Sequence, residues 1–491
     1  MIVTVQWLFQ GEATMSRFPC LSIRMLTTAF FLALTPCLMA QTLEPAQSRS
    51  EEIRELRREL TSINARLTRL ENEENASIAT ADPAASAAAL SSAGAALNAK
   101  PAETAPTPAQ TLTAEDRRSL DFLNGTTINM TFDGYYEYNF NNPIGRVNLL
   151  RAYDVSSNAF SINQADLVIE HAVDPANGKR FGARIDLQYG QATETLQGNP
   201  ANEPRPDIYR NIFQAYGTYV VPVGSGLTVD FGKWASALGI EGNYTKDQIN
   251  YSRAYWFNYL PFYHEGLRAT YAVTPWISAR YWLVNGTQQT EPFNSFKDEM
   301  FGFEAKPIKS IDWTFNYYLG QEHPDFEYVT NGPPNLPEQQ GMPFEPIPNP
   351  PKGKLHIFDS YATWTATPKL TLAIEGDYVI SRYQTYSAPQ HTDGGAVYAR
   401  YQLNPLLALG GRTEYLSDRG ALFSGKVQAL KEFTFTFDQN VGNGFLVREE
   451  LRHDFSNQPY FLTDTLGNLS NSQTTAGVGL IWWFGGKQGA W

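Results

Sequence analysis

A chain of 491 residues, 13% aromatic and with a formal charge of −12, has room for several soluble domains, yet no helical period of useful length follows residue 120, which favours one large all-β unit. The acidic balance, with no Lys/Arg-rich patch to displace phosphate counterions, excludes a general nucleic-acid binder. Cys20 and Cys37 are the only cysteines; both precede the expected mature start, so no disulfide framework is expected.

Arg17 and Arg24 precede an apolar run from Met25 to Ala40. The run is short for a membrane-spanning helix and has the build of a signal-peptide core, with cleavage after Ala40 and Met15 as an alternative start. Residues 1–40 are read as a signal peptide. In residues 41–76, Ile53, Leu56, Leu60, Ile63, Leu67 and Leu70 recur at spacings of three and four, a heptad seam flanked by charges. Arg66 to Glu71 (RLTRLE) resembles a signature of three-stranded coiled coils, so a homotrimer is expected, with a solitary surface helix as the other reading. Residues 77–119 are rich in Ala, Pro, Ser and Thr, cannot bury a core, and read as a disordered linker.

From residue 120 the period is two. Ile128, Met130, Phe132, Tyr136, Tyr138 and Phe140 share one face of a segment whose other face carries Asn129, Thr131, Asp133, Tyr135, Glu137 and Asn139. The same alternation recurs around Phe181–Tyr189, Ile311–Leu319, Leu370–Tyr378 and Phe433–Phe437, in about 16 segments of a length suited to crossing a bilayer as tilted strands. Short connectors rich in Pro and Gly, such as DPANG at Asp174 and NVGNG at Asn440, alternate with long ones at 141–159, 191–211, 235–262, 286–297, 322–353, 382–393, 417–427 and 456–472. Tight turns at one end and long loops at the other describe an up-and-down meander with two different ends.

The polar face carries Arg184, Asp186, Arg268, Arg280, Arg412, Glu414, Arg448, Glu450 and Arg452, more charge than a dry interior holds. Turned outward, the apolar face meets lipid and the charged face lines water. The fold class expected for residues 120–491 is therefore all-β: a transmembrane antiparallel up-and-down barrel of about 16 strands, preceded by a short periplasmic coiled-coil helix and the linker. That many strands enclose a channel, and aromatics near strand ends, such as Tyr136, Tyr138, Tyr189, Trp482 and Phe484, suit interfacial girdles.

The stretch from Phe231 to Tyr271 (FGKWASALGIEGNYTKDQINYSRAYWFNYLPFYHEGLRATY), with SINQADLVIE, YARYQLNPLLALGGRTEYLSD and REELRHDFSNQPYF, resembles a family of outer-membrane β-barrel porins described as OmpL-like. The resemblance implies a bacterial outer membrane and passive or weakly selective uptake of small hydrophilic solutes. By analogy with general porins, the third long loop, 235–262, folds into the lumen and puts Glu241, Lys246, Asp247, Arg253 and Tyr255 near a constriction, facing wall arginines such as Arg268, Arg280 and Arg412. The bland alternative has the loop aromatics packing over the mouth or against a neighbouring subunit. Arg448, Glu450, Arg452 and Asp454 form a charged row that either guides ions or satisfies itself structurally.

The six histidines are scattered, with no HExxH, no GxSxG and no paired metal spacing. No enzyme activity, cofactor or metal is expected. A second function class stays open: a structural anchor in which the coiled coil contacts the cell wall. The sign of ion selectivity stays open too, as does whether Phe484 or Trp491 serves as the terminal assembly signal.

Overall fold

The computed structural model describes residues 124–196, 206–328, 344–487 and 490. The signal peptide, the heptad segment from Ile53 to Glu71, the linker and Trp491 lie outside the described residues. Alternating side chains with β-branched and aromatic residues on one face build antiparallel strands: β1 (Thr126–Asn139), β2 (Ala159–His171), β3 (Phe181–Tyr189), β4 (Ile212–Val221), β5 (Leu227–Ala235), β6 (Tyr263–Thr274), β7 (Ile277–Val284), β8 (Asp298–Ile308) and β9 (Ile311–Gly320). After a short pair, β10 (Phe326–Tyr328) and β11 (Phe344–Pro346), come β12 (Leu355–Thr367), β13 (Leu370–Ser381), β14 (Gln390–Gln402), β15 (Leu407–Asp418), β16 (Gln428–Gly442) and β17 (Phe445–Ser456). A second short pair, β18 (Phe461–Leu462) and β19 (Leu469–Ser470), precedes β20 (Ser472–Gly485).

Sixteen of these strands close into one barrel, each bonded to its sequence neighbour, with β20 returning to β1 so that Trp482 faces Phe132. The short pairs sit apart as two-stranded sheets within the long loops 321–354 and 457–471. Closure leaves no unpaired edge, the condition for a sheet in hydrocarbon. Connections alternate between short turns, as at 275–276 and 443–444, and longer loops, although 172–180 on the short side is longer than 382–389 on the other, and both ends of the barrel chain lie on the tight-turn side.

The two faces separate as alternation requires. On β16, Phe433 is 60% exposed on the outside while Thr434 and Thr436 are fully buried inside. Aromatic pairs ring the outer surface at both ends. Phe445 stacks on Trp482 at 4.3 Å and Phe181 meets Tyr219 at 4.7 Å near the tight turns, while Tyr136 meets Phe160 at 4.8 Å near the long loops. Such belts fit the two interfaces of a bilayer. Among the described residues no helix is long and apolar enough to cross a membrane, which says nothing of a barrel.

Alternation breaks inside the barrel at bulges, at β1–β2 and again at β3–β4, where Phe213 and Gln214 are both buried. The β1–β2 register shifts between Asp133 and Gly134, and this bulge lets Asn163 and Gln164 both turn inward, fully buried. The interior is not uniformly polar either. Towards the long loops it holds a core of Leu150, Trp234, Trp256, Trp282, Tyr318 and Leu416 with others, to which the loops themselves contribute.

Candidate functional site: the loop inside the barrel

The connection between β5 and β6, residues 236–262, runs from its own strands to the opposite wall. Its backbone polar groups find partners there, because a chain segment removed from water needs every amide and carbonyl satisfied. Gly239 N–H donates to Asp359 Oδ1 at 3.2 Å on β12, and Ile240 N–H to Glu375 Oε1 at 2.9 Å on β13. Tyr251 and Ser252 N–H donate to the two oxygens of Glu450 on β17 at 2.6 and 3.0 Å. Tyr255 and Trp256 N–H donate to the two oxygens of Glu414 on β15 at 2.7 and 2.9 Å. These last two amides open the short helix Tyr255–Tyr259, so a wall carboxylate meets the free N–H groups and the positive end of the helix dipole together.

Wall arginines take the carbonyls. Arg412 donates to Ser252 O at 2.7 Å, Arg448 to Thr245 O at 2.9 Å, and Arg452 to Arg253 O at 2.6 Å. Each is also held by acids: Arg412 by Glu241 of the loop at 2.7 Å and Glu432 at 2.8 Å, Arg448 by Asp438 at 2.7 Å, Arg452 by Asp454 at 2.8 Å. Arg412, Arg448 and Arg452 are at most 1% exposed. Buried guanidinium groups are tolerable because donors are shared between carboxylates and carbonyls in fork geometry.

On the other flank Asn243 accepts from Tyr153 at 2.6 Å and from Gln164 and Gln188 of β2 and β3, while the Tyr244 hydroxyl donates to Asp186. Arg184 holds Asp186 at 2.8 Å on the same strand. Tyr251 reaches β1, its hydroxyl donating to Asp133 at 2.8 Å. Two lumen-facing glycines make this approach possible. A Cβ on Gly479 would lie 2.3 Å from the Tyr251 ring, and one on Gly410 2.8 Å from the Ile249 carbonyl.

The sequence-derived candidates divide by place. Glu241, Arg412, Glu414, Arg448, Glu450 and Arg452 meet in the seam between loop and wall. Arg253 lies wholly inside the loop, donating to the carbonyls of Gly242, Tyr251 and Asn243 with its guanidinium over the Tyr153 ring at 4.9 Å. Tyr255 is buried, its hydroxyl donating to Asp454 at 2.7 Å under the Arg452 guanidinium. Arg268 and Arg280 make their ion pairs with the wall instead, to Asp230 at 2.8 Å and Glu304 at 3.4 Å, and Arg268 lies over the Trp234 ring at 5.0 Å. Lys246 and Asp247 pair at 2.7 Å and border a cavity of about 540 Å³ on the tight-turn side of the loop, shared with Arg400, Asp438 and Arg448. Burial pushes the Lys246 ammonium below its ordinary value, against the pull of Asp247.

A family model described as "Putative beta-barrel porin-2, OmpL-like" matches residues 125–484. The chain belongs to this family of barrel porins. No curated protein matches it. Solved structures similar to this porin include an anion-selective porin from Comamonas acidovorans (9% identity, 73% of this chain and 99% of that one, TM-score 0.47). The outer membrane channel DcaP of Acinetobacter baumannii is similar over 74% of this chain and 98% of its own, at 11% identity and TM-score 0.46. OmpT, an outer membrane protein of Vibrio cholerae, covers 73% and 97% at 9% identity and TM-score 0.45.

Three features of the porin interior escape sequence reasoning. The first long loop, 140–158, also turns inward: Arg151, buried, donates to Asp454 at 2.8 Å, and Leu149 O accepts from Gln473. Its sequence, RAYD, reads as an ordinary polar loop. The inward glycines Gly410 and Gly479 were a usable signal, since a strand of polar lumen residues has no local reason to interrupt itself with them. Of the trio Asp359, Glu375 and Asp377, the last two share the polar face of one alternating segment in sequence, and Asp359 joins them only through the pairing of β12 with β13.

Proposed function

We propose that this barrel is an outer-membrane diffusion channel for small hydrophilic solutes and ions, narrowed by the loop 236–262, and that it works by passive passage without catalysis. The observation that carries the reading is the docking of the loop: its amides and carbonyls are bonded to β12, β13, β15 and β17, across the lumen from the strands it leaves. A segment held on both sides of a tube reduces its free cross-section whatever the solute. Where charge stays accessible to water it carries both signs, at Lys306, Asp312 and Glu304 on the tight-turn side and at Arg400 beside the cavity. Charge of both signs along an aqueous path orders water and discriminates solutes by charge and dipole.

The N-terminal heptads extend this reading. Ile53, Leu56, Leu60, Ile63, Leu67 and Leu70, with Arg66 and Glu71, would wind three chains together in the periplasm, and residues 77–119 would connect that clamp to three barrels, adding avidity to the contact between them. Swelling of proteoliposomes tests the channel: entry of small sugars at rates falling with solute size is expected. Impermeable vesicles holding folded, heat-modifiable barrels would refute it.

A further inference from the structure

We propose that Asp359, Glu375 and Asp377 bind a single hard divalent cation, Ca²⁺ or Mg²⁺, in the inner wall where the loop 236–262 first reaches β12 and β13. One carboxylate oxygen from each lies within 4.8 Å of the others, and all three residues are buried. Asp359 and Asp377 stand directly opposite each other in the β12–β13 register, a like-charge pair that destabilises a sheet unless something lies between. On its other side Asp377 faces Gly394, which has no side chain to offer.

The decisive feature is Asp377. It is 5% exposed, and neither of its carboxylate oxygens receives a hydrogen bond from any amide, hydroxyl or guanidinium; the one neighbour close enough to bond it is the Asp359 carboxyl, and only by sharing a proton. The other two acids are in part engaged: Asp359 accepts from Gly239 N–H and from Asn316 Nδ2 at 2.7 Å, Glu375 from Ile240 N–H and from the Tyr398 hydroxyl at 3.1 Å. Many lumen acids are met by arginine, as Asp186 is by Arg184, Asp230 by Arg268, Glu432 by Arg412, Asp438 by Arg448 and Asp454 by Arg452. Others are met by amides and hydroxyls, as Glu414, Glu450 and Asp133 are, and Asp166 stands unpartnered but alone, outside any cluster of three among the described residues. Here no guanidinium enters. Arg280 acts on Asp359 through space but spends its hydrogen bond on Glu304. Three converging carboxylates, with two oxygens of one left open, form the all-oxygen donor set that Ca²⁺ and Mg²⁺ select, completed by water. Soft or imidazole-preferring metals find no ligand of their kind in the trio.

A bound cation would also hold the loop, since Asp359 and Glu375 are the acceptors of two successive loop amides. The occupant is thus a structural ion at the root of the loop, distinct from the permeating solutes. The site is read without any conductance, so its failure and that of the channel reading are separable.

The test uses the full chain, refolded in detergent free of lipopolysaccharide, stripped with chelator and titrated with Ca²⁺ or Mg²⁺ alone by calorimetry. One saturable ion per chain is expected, with affinity lowered about tenfold or more in Asp377→Asn, which touches neither loop amide. Should that variant fail to fold, Asp377→Ser removes the same charge with less bulk and carries the same comparison. No saturable binding by the wild-type chain, as when the acids merely share protons, overturns the proposal. Equal affinity in a folded Asp377 variant overturns it as well.

Discussion

At the scale of single residues, the lumen is governed by how each buried charge is compensated. Arg412 sits between Glu241 of the loop and Glu432 of β16 and also donates to Ser252 O. Removing it strands two carboxylates in a buried seam, so Arg412→Ala is expected to destabilise the barrel by about 3–5 kcal/mol, read as a lower unfolding midpoint in denaturant. Lysine is no substitute, because a single ammonium cannot reproduce the fork that bridges a loop carbonyl and two acids. Glu322, just beyond β9, shows the opposite condition. Loss of water, and then the neighbouring Asp298 charge, hold its carboxyl well above the ordinary 4.5. Below that value the folded and unfolded forms are both protonated and the group costs nothing. As pH rises through it the unfolded chain releases the proton first, so stability falls with rising pH until the folded value is passed. Thermal heat-modifiability measured from about pH 4 to pH 8 is expected to show this decline at the long-loop end, flattened in Glu322→Gln.

At the scale of elements, the loop 236–262 is bound as a strand would be, by its backbone, but to side chains of the wall. Glu450 and Glu414 each receive two successive amides. Replacing Glu450 by Ala leaves the Tyr251 and Ser252 amides without acceptors, at a cost of about 1–3 kcal/mol for each such group left buried. The local result expected is a noisier or larger conductance with the barrel intact. Gly479→Val acts on the same contact from sterics, since its side chain would enter the Tyr251 ring; the expected readout is faster amide exchange in the loop while the strands keep their protection. Legibility differed sharply between elements. Strands and loop lengths were plain, because period-two alternation and Pro/Gly turns are local properties of residues such as Ile128 to Phe140 and Asp174 to Gly178. The partners of the loop were not, because they depend on which strands face each other across the tube. Arg412 and Arg448 are indistinguishable in sequence from Arg268, yet two bond the loop and the third bonds Asp230 and covers Trp234.

At the scale of the whole molecule, sixteen strands give a tube too wide for wall side chains to fill, and loops occupy what they leave. The apolar cluster of Trp234, Trp256, Trp282 and Leu150 lies inside a barrel whose outside is also apolar. Alternation anticipates a purely aqueous lumen and has no means of showing that loops carry a second core inwards. Short connections gather at one end of the barrel and long ones at the other, and the chain runs from N- to C-terminal strand with both ends on the short-connection side. A trimer, if the heptads form one, is expected to be lost on removing residues 41–76, with each barrel still folded; cross-linking of the two forms in outer-membrane vesicles checks this. The most direct measurement is single-channel recording of the refolded chain in a planar bilayer, beside a variant in which residues 244–258 are replaced by a short Gly/Ser link. Discrete conductance steps in the wild-type chain, several-fold larger in the trimmed one, are the expected result. Silence from folded wild-type barrels, or steps of equal size in both, would contradict a channel narrowed by this loop.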